Sequence, residues 1–123
     1  MSLLLDSHTL LWWLDHSPIL SKRAYEAIDD ASRVSISLVT PWELQIKANS
    51  GKFSLSPDWQ NLDRLGIETL ELVLDDVLLA ADLPLHHRDP FDRLMIAQAL
   101  RRKLVIVTRD RNFASYGVPI IAA

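Results

Sequence analysis

Four acids stand where carboxylates are awkward unless something binds them. Asp6 directly follows the apolar run Leu3-Leu4-Leu5, and Asp110 comes shortly after Leu104-Val105-Ile106-Val107. Glu43 and Asp92 each lie two residues after a proline, in Thr40-Pro41-Trp42-Glu43 and Asp89-Pro90-Phe91-Asp92. If the two apolar runs are neighbouring parallel strands, both aspartates emerge at one sheet edge, and helices entered from that edge bring the other two acids beside them. Four carboxylates in one crevice repel one another unless a divalent cation holds them. The pattern points to a hard-metal site and, with it, phosphoryl chemistry.

Each acid also has a structural alternative. Thr40-Pro41-Trp42-Glu43 fits a capping box, with Thr40 at the N-cap, Pro41 at N1 and Glu43 reaching back from N3. Asp89-Pro90-Phe91-Asp92 repeats that layout with Asp89 as the cap, and acids in a first turn suit the helix dipole. Asp110, in Thr108-Arg109-Asp110-Arg111-Asn112, could be a turn residue or the cap of a short helical turn. Asp6 is hardest to explain structurally, although it or Ser7 could cap the helix that follows. His8, His86 and His87 are weaker candidates. His86 and His87 fall in a polar loop, where they could touch phosphate but read as surface residues.

The elements that must position these groups alternate in type. Strands are expected over 2–5, 34–37, 67–72, 104–108 and 118–121. Helices are expected over 8–15, 21–31 (capped by Ser21), 40–49, 56–65 (opened by Ser56-Pro57-Asp58), 75–83 and 90–103, with a helical turn near 111–114. Such alternation predicts an α/β fold with a parallel sheet covered on both faces. Ligands of such sheets bind at the carboxyl ends of the strands, where Asp6 and Asp110 fall.

The chain has 123 residues and is 49% hydrophobic, which suits one domain spanning 1–123. With no cysteine, disulfides, thiolate metal sites and cysteine nucleophiles are excluded. A first strand close to Met1 leaves no room for a secretory leader, and no apolar stretch is long enough for a bilayer, so a cytoplasmic protein with no membrane partner is expected. The net charge of −3 does not by itself suggest a nucleic-acid binder, but its distribution is uneven. Residues 1–85 hold six Lys/Arg against thirteen Asp/Glu, whereas residues 86–123 hold seven Lys/Arg against three Asp. Arg101, Arg102 and Lys103 end a helix and suit its dipole. Arg88, Arg93, Arg109 and Arg111 flank the acids and are candidate phosphate-binding groups.

Taken together, these segments resemble the PIN-domain ribonucleases, specifically the VapC-type toxins of toxin–antitoxin pairs. The matching stretches are Leu4 to Trp12, Ser37 to Leu44, Arg88 to Ala99 and Val105 to Phe113. The resemblance implies an α/β/α sandwich with a five-stranded parallel sheet and an acidic site for Mg²⁺ or Mn²⁺. It places the family's acids on Asp6, Glu43, Asp92 and Asp110, with Asp89 the competing choice for the third and a residue supporting the site otherwise. Ser7 matches the small hydroxyl residue after the first acid, and Thr108 would be a polar partner for metal-bound water. The activity implied is metal-dependent hydrolysis of RNA phosphodiesters, leaving a 5′-phosphate and a 3′-hydroxyl. The substrate would be a tRNA, rRNA or mRNA, with inhibition of translation as the consequence. The partners implied are a VapB-like antitoxin and a second copy in a homodimer. The alternative is a non-catalytic PIN-like module that binds RNA or protein. A phosphoacceptor receiver domain fits poorly, because Asp6 is followed by Ser7, the second strand leads to no aspartate, and no lysine follows Thr108.

Overall fold

Strand β1 (Ser2–Leu5) is the centre of the molecule, because each of its three leucines is removed from solvent. In the computed structural model, which describes residues 1–52 and 57–123, Leu3 and Leu5 pack on one side of the sheet and Leu4 on the other. That two-sided burial is what a continuous apolar run signifies in a parallel sheet. Around β1 lie β2 (Arg33–Ser37), β3 (Ile67–Leu70), β4 (Val105–Thr108) and β5 (Ile120–Ala122), in the order β3-β2-β1-β4-β5 with every pairing parallel. The expected five-stranded parallel α/β architecture is therefore the observed one.

Helix α1 (Ser7–Leu14), α2 (Lys22–Asp30) and α3 (Val39–Asn49) follow the first two strands. Helix α4 (Leu74–Asp82) and α5 (Pro90–Arg102) precede β4. Leu10, Ala24, Ile28 and Leu44 fill the core on the Leu3/Leu5 side, and Ala80, Met95, Ile96, Ala97 and Ala99 fill the Leu4 side. The serines that alternate with Val34 and Ile36 in β2 are also buried; Ser35 donates to the Leu3 carbonyl, so the strand's polar face is satisfied inside the fold.

Two local expectations are corrected. Helix α3 starts at Val39, with Leu38 at the cap position, so Glu43 stands two residues deeper than N3 and no capping box forms. The reason lies upstream: the Ser37 hydroxyl accepts from the Val39 N–H and starts the helix directly from the end of β2. The segment expected to be helical before Gly66 is a 3-10 turn over Trp59–Leu65, ended by Gly66 at φ 79° in the left-handed region that glycine tolerates. The start expected for it at Ser56 lies outside the described residues.

The chain leaves β1, builds β2 and β3 on one side, then returns to place β4 and β5 on the other. The reversal falls between β1 and β4, paired as Leu5 with Val107. At such a switch point the connections diverge and leave a crevice beyond the strand ends.

Candidate functional site: an acidic crevice at the switch point

That crevice is a pocket of about 180 Å³ lined by Asp6, Ser7, His8, Glu43, Lys47, Asp89, Asp92, Asp110 and Phe113. All four sequence-selected acids line it, together with the competitor Asp89.

Asp6 caps α1 and faces the pocket at once. Its Oδ1 accepts from the Thr9 N–H at 2.9 Å, and its Oδ2 accepts from the Thr108 hydroxyl at 2.6 Å. Thr108 Oγ1 in turn accepts from the Asp110 N–H at 3.0 Å, so one hydroxyl ties the ends of β1 and β4 together. Asp110 caps the turn Arg111–Tyr116 through Oδ1, leaving Oδ2 to meet His87 Nε2 at 2.8 Å. Capping and site-building are thus compatible, because a carboxylate has two oxygens and more lone pairs than one cap uses.

Glu43 is buried and doubly held. The Ser7 hydroxyl donates to its Oε1, and Lys47, one helical turn on, donates to its Oε2 at 2.9 Å. Asp89 caps α5, accepting from the Phe91 N–H at 2.8 Å. Asp92 differs from all of these: its carboxylate receives no hydrogen bond among the described residues, while the carboxylates of Asp89, Glu43 and Asp6 surround it. Burial first, and then the charges of Asp89, Glu43 and Asp6 against a smaller opposing effect of His87, push its pKa up to about 7. Oxygens of Asp92 and Asp110 and a ring nitrogen of His87 lie within 4.8 Å of one another. A partly buried carboxyl that lacks a donor and is crowded by like charge is what a divalent cation would relieve, and the surrounding donors are mostly hard oxygens. The residues present therefore fit such an ion.

The four arginines divide. Arg93 is buried, and its guanidinium donates to the carbonyls of Ala80, Ala81, Leu83, Pro84 and His87, tying the end of α4 and the following loop to α5. Arg109 lies 4.5 Å over the Trp12 ring and donates to oxygens of Ile19 and Ala123. Arg93 is thereby committed to the protein's own carbonyls, whereas Arg109 remains an exposed residue. Arg88 and Arg111 are exposed beside the pocket and make no ion pair among the described residues. Lys47 escaped sequence reasoning, and His87 is only a weak candidate there. Lys47 could have been found from its i+4 spacing to Glu43. His87 reads as a surface loop residue but is enclosed by Phe113 and Tyr116, a contact across more than twenty residues that no local pattern announces.

A model of the PIN domain matches residues 3–119. The chain is 30% identical to Ribonuclease VapC22 of Mycobacterium tuberculosis over 122 residues, covering 96% of this chain and 94% of that one. Among solved structures it is similar to a toxin–antitoxin complex from Klebsiella pneumoniae, with a TM-score of 0.69 and 19% identity over 98% of this chain and 97% of that one. It is also similar to VapBC2 from Rickettsia felis bound to a promoter DNA fragment, with a TM-score of 0.70 and 15% identity over 98% of each chain. At such identities the structural likenesses speak for the fold.

Proposed function

The chain belongs to the PIN-domain family, and from that premise we propose that it is a Mg²⁺- or Mn²⁺-dependent endoribonuclease, the toxin of a VapBC-like pair. The observation that carries this reading is Asp92: a carboxyl pushed up to about 7, without a donor among the described residues, beside four other acids at the switch point of a parallel sheet. The likeness to a ribonuclease over nearly the whole chain supports the activity, and the likeness to toxin–antitoxin complexes supports an antitoxin partner. A homodimer is part of the same proposal.

Asp6, Glu43, Asp92 and Asp110 would hold the ion, with Asp89 primarily the cap of α5. A divalent cation bound there supplies charge neutralisation at phosphorus and a more acidic bound water. The remaining work falls to the chain. The Thr9 N–H and Thr108 hydroxyl fix both oxygens of Asp6, and Ser7 and Lys47 fix those of Glu43, so the acids are set before substrate arrives. Lys47 also brings a positive charge to the wall of a crevice that would otherwise repel RNA. Arg88 and Arg111, exposed at its rim, attract the phosphate backbone. Water attacks phosphorus in line, a P–O bond forms as the bond to the 3′-oxygen breaks, and a proton passes to that oxygen. The products carry a 5′-phosphate and a 3′-hydroxyl.

The test is cleavage of structured and unstructured RNA with Mg²⁺ or Mn²⁺ and again with EDTA. Cleavage that needs the ion and disappears in Asp6→Ala is expected. Cleavage that survives EDTA would overturn the proposal. Metal binding without any cleavage across a broad RNA panel would favour a non-catalytic RNA- or protein-binding module.

A further inference from the structure

Resting on that reading of the acids, we infer that His87 is a nitrogen ligand of the same centre, so that the centre takes a first-row transition ion such as Mn²⁺ in preference to Mg²⁺. His87 Nε2 stands 2.8 Å from Asp110 Oδ2, and an Asp92 oxygen completes a set whose donor atoms all lie within 4.8 Å of one another. Two donors at right angles on an ion, each about 2.1 Å away, lie about 3 Å apart. The His87–Asp110 separation is therefore that of adjacent ligands as well as that of a hydrogen bond.

The imidazole is held as a metal-binding histidine is held. Its ring meets Phe113 edge-on with centroids 5.0 Å apart, and its side chain is only 10% exposed behind Asp110. Its other nitrogen, Nδ1, lies 3.2 Å from the Tyr116 hydroxyl. Metal-bound histidines ordinarily give the second ring N–H to an oxygen of this kind, which fixes the tautomer. The hydroxyl suits both states of the ring. Without an ion, Tyr116 can donate to Nδ1 while Nε2–H donates to Asp110. With an ion, Nδ1–H can donate to Tyr116 and Nε2 presents its lone pair beside Asp110 and Asp92. No side chain has to move for the exchange. An imidazole nitrogen favours transition ions and adds little for Mg²⁺, which prefers oxygen and retains its waters.

Pulsed EPR of the Mn²⁺-loaded full chain tests the ligand directly. Coupling to a directly bound imidazole ¹⁴N is expected in the wild type and in His8→Gln, and its loss is expected in His87→Gln. Calorimetric titration tests the preference: His87→Gln should weaken Mn²⁺ binding by about tenfold or more while leaving Mg²⁺ binding nearly unchanged. Tyr116→Phe keeps the ring packing and should weaken Mn²⁺ in the same sense, which covers the case in which His87→Gln does not fold. Mn²⁺ bound with no nitrogen coupling, or both ions weakened equally by His87→Gln, would overturn the inference and leave the nuclease reading standing. Nitrogen coupling without RNA cleavage would support the inference and sink only the nuclease activity. Failure of both ions to bind would overturn the inference and the nuclease reading together.

Discussion

Asp92, in the first turn of α5, and Asp76, in α4 and paired with Arg101 and Arg102 of the last turn of α5, have opposite fates. Asp76 is 0% exposed, yet its pKa falls to about 2. Burial pushes it up, but the Arg102 hydrogen bonds, the Val73 N–H and Arg101 together outweigh that penalty. Asp92 is less enclosed but has no donor among the described residues and is raised by the charges of three acids, Asp89, Glu43 and Asp6, to about 7. The difference shows how to tell a structural acid from a chemical one. A carboxylate kept for stability is folded together with its cations. Asp92 is left unmatched, and its cation must come from outside, although Asp6 and Glu43 beside it have donors of their own.

The largest effect should come from removing the unmatched acid. Asp92→Asn should lower RNA cleavage by about 10³-fold, equivalent to about 4 kcal/mol of barrier, whereas Asp76→Asn should leave the activity of the folded protein nearly unchanged. Initial rates normalised to folded protein check the pair, and equal losses would erase the distinction.

Stability should show the reverse. Asp76→Ala removes the buried partner of Arg101 and Arg102, which are themselves partly exposed, and should cost roughly 1–2 kcal/mol in urea unfolding. Metal-free Asp92→Asn should be at least as stable as the wild type at neutral pH, because it removes like-charge repulsion.

The two acids should also tilt stability against pH in opposite senses. Folded Asp92 keeps its proton up to about pH 7, while an ordinary aspartate releases it near 3.8. Its contribution is complete below that lower value and is lost as pH rises through 7. Asp76, depressed to about 2, contributes above 3.8 and loses that contribution as pH falls through 2. Asp92→Asn should therefore gain stability relative to the wild type between pH 5 and 8, on the order of 1–2 kcal/mol once solvent screening is allowed for. Urea midpoints at the two pH values read this directly, and a constant difference would contradict it.

The smallest effect should come from Asp89, which the sequence set against Asp92 as the third ligand. Asp89→Ala removes the α5 cap at a cost of roughly 1 kcal/mol, and should reduce cleavage far less than Asp92→Asn does. Rates for the two variants, side by side, decide between them. A dead Asp89→Ala with an active Asp92→Asn would exchange their roles.

The elements and the crevice were largely legible in the chain. Leu3-Leu4-Leu5 announced a two-sided strand, and Ser21 and Asp89 announced helix starts that the structure contains. What was hidden depended on contacts distant in sequence. Glu43 looked like a cap because Thr40-Pro41 preceded it, but β2 hands over to α3 through Ser37, and this sends Glu43 to Ser7 and Lys47. The backbone carbonyls that engage Arg93 and Arg109 were not legible either, because nothing local announces them. Trp42 is 62% exposed and meets the Phe91 ring edge-on, a pairing across two helices that no local pattern announces.

Unfolding of the wild type, Asp92→Asn and Asp76→Asn at pH 8, each with and without saturating Mg²⁺ or Mn²⁺, tests the central claim most directly. An ion held only by the folded crevice stabilises it by about 2.7 kcal/mol at a hundredfold excess over its dissociation constant. That gain is predicted for the wild type and for Asp76→Asn, and its loss is predicted for Asp92→Asn. An equal gain in all three proteins, or none in the wild type, would contradict the claim that Asp92 is left unmatched for a metal.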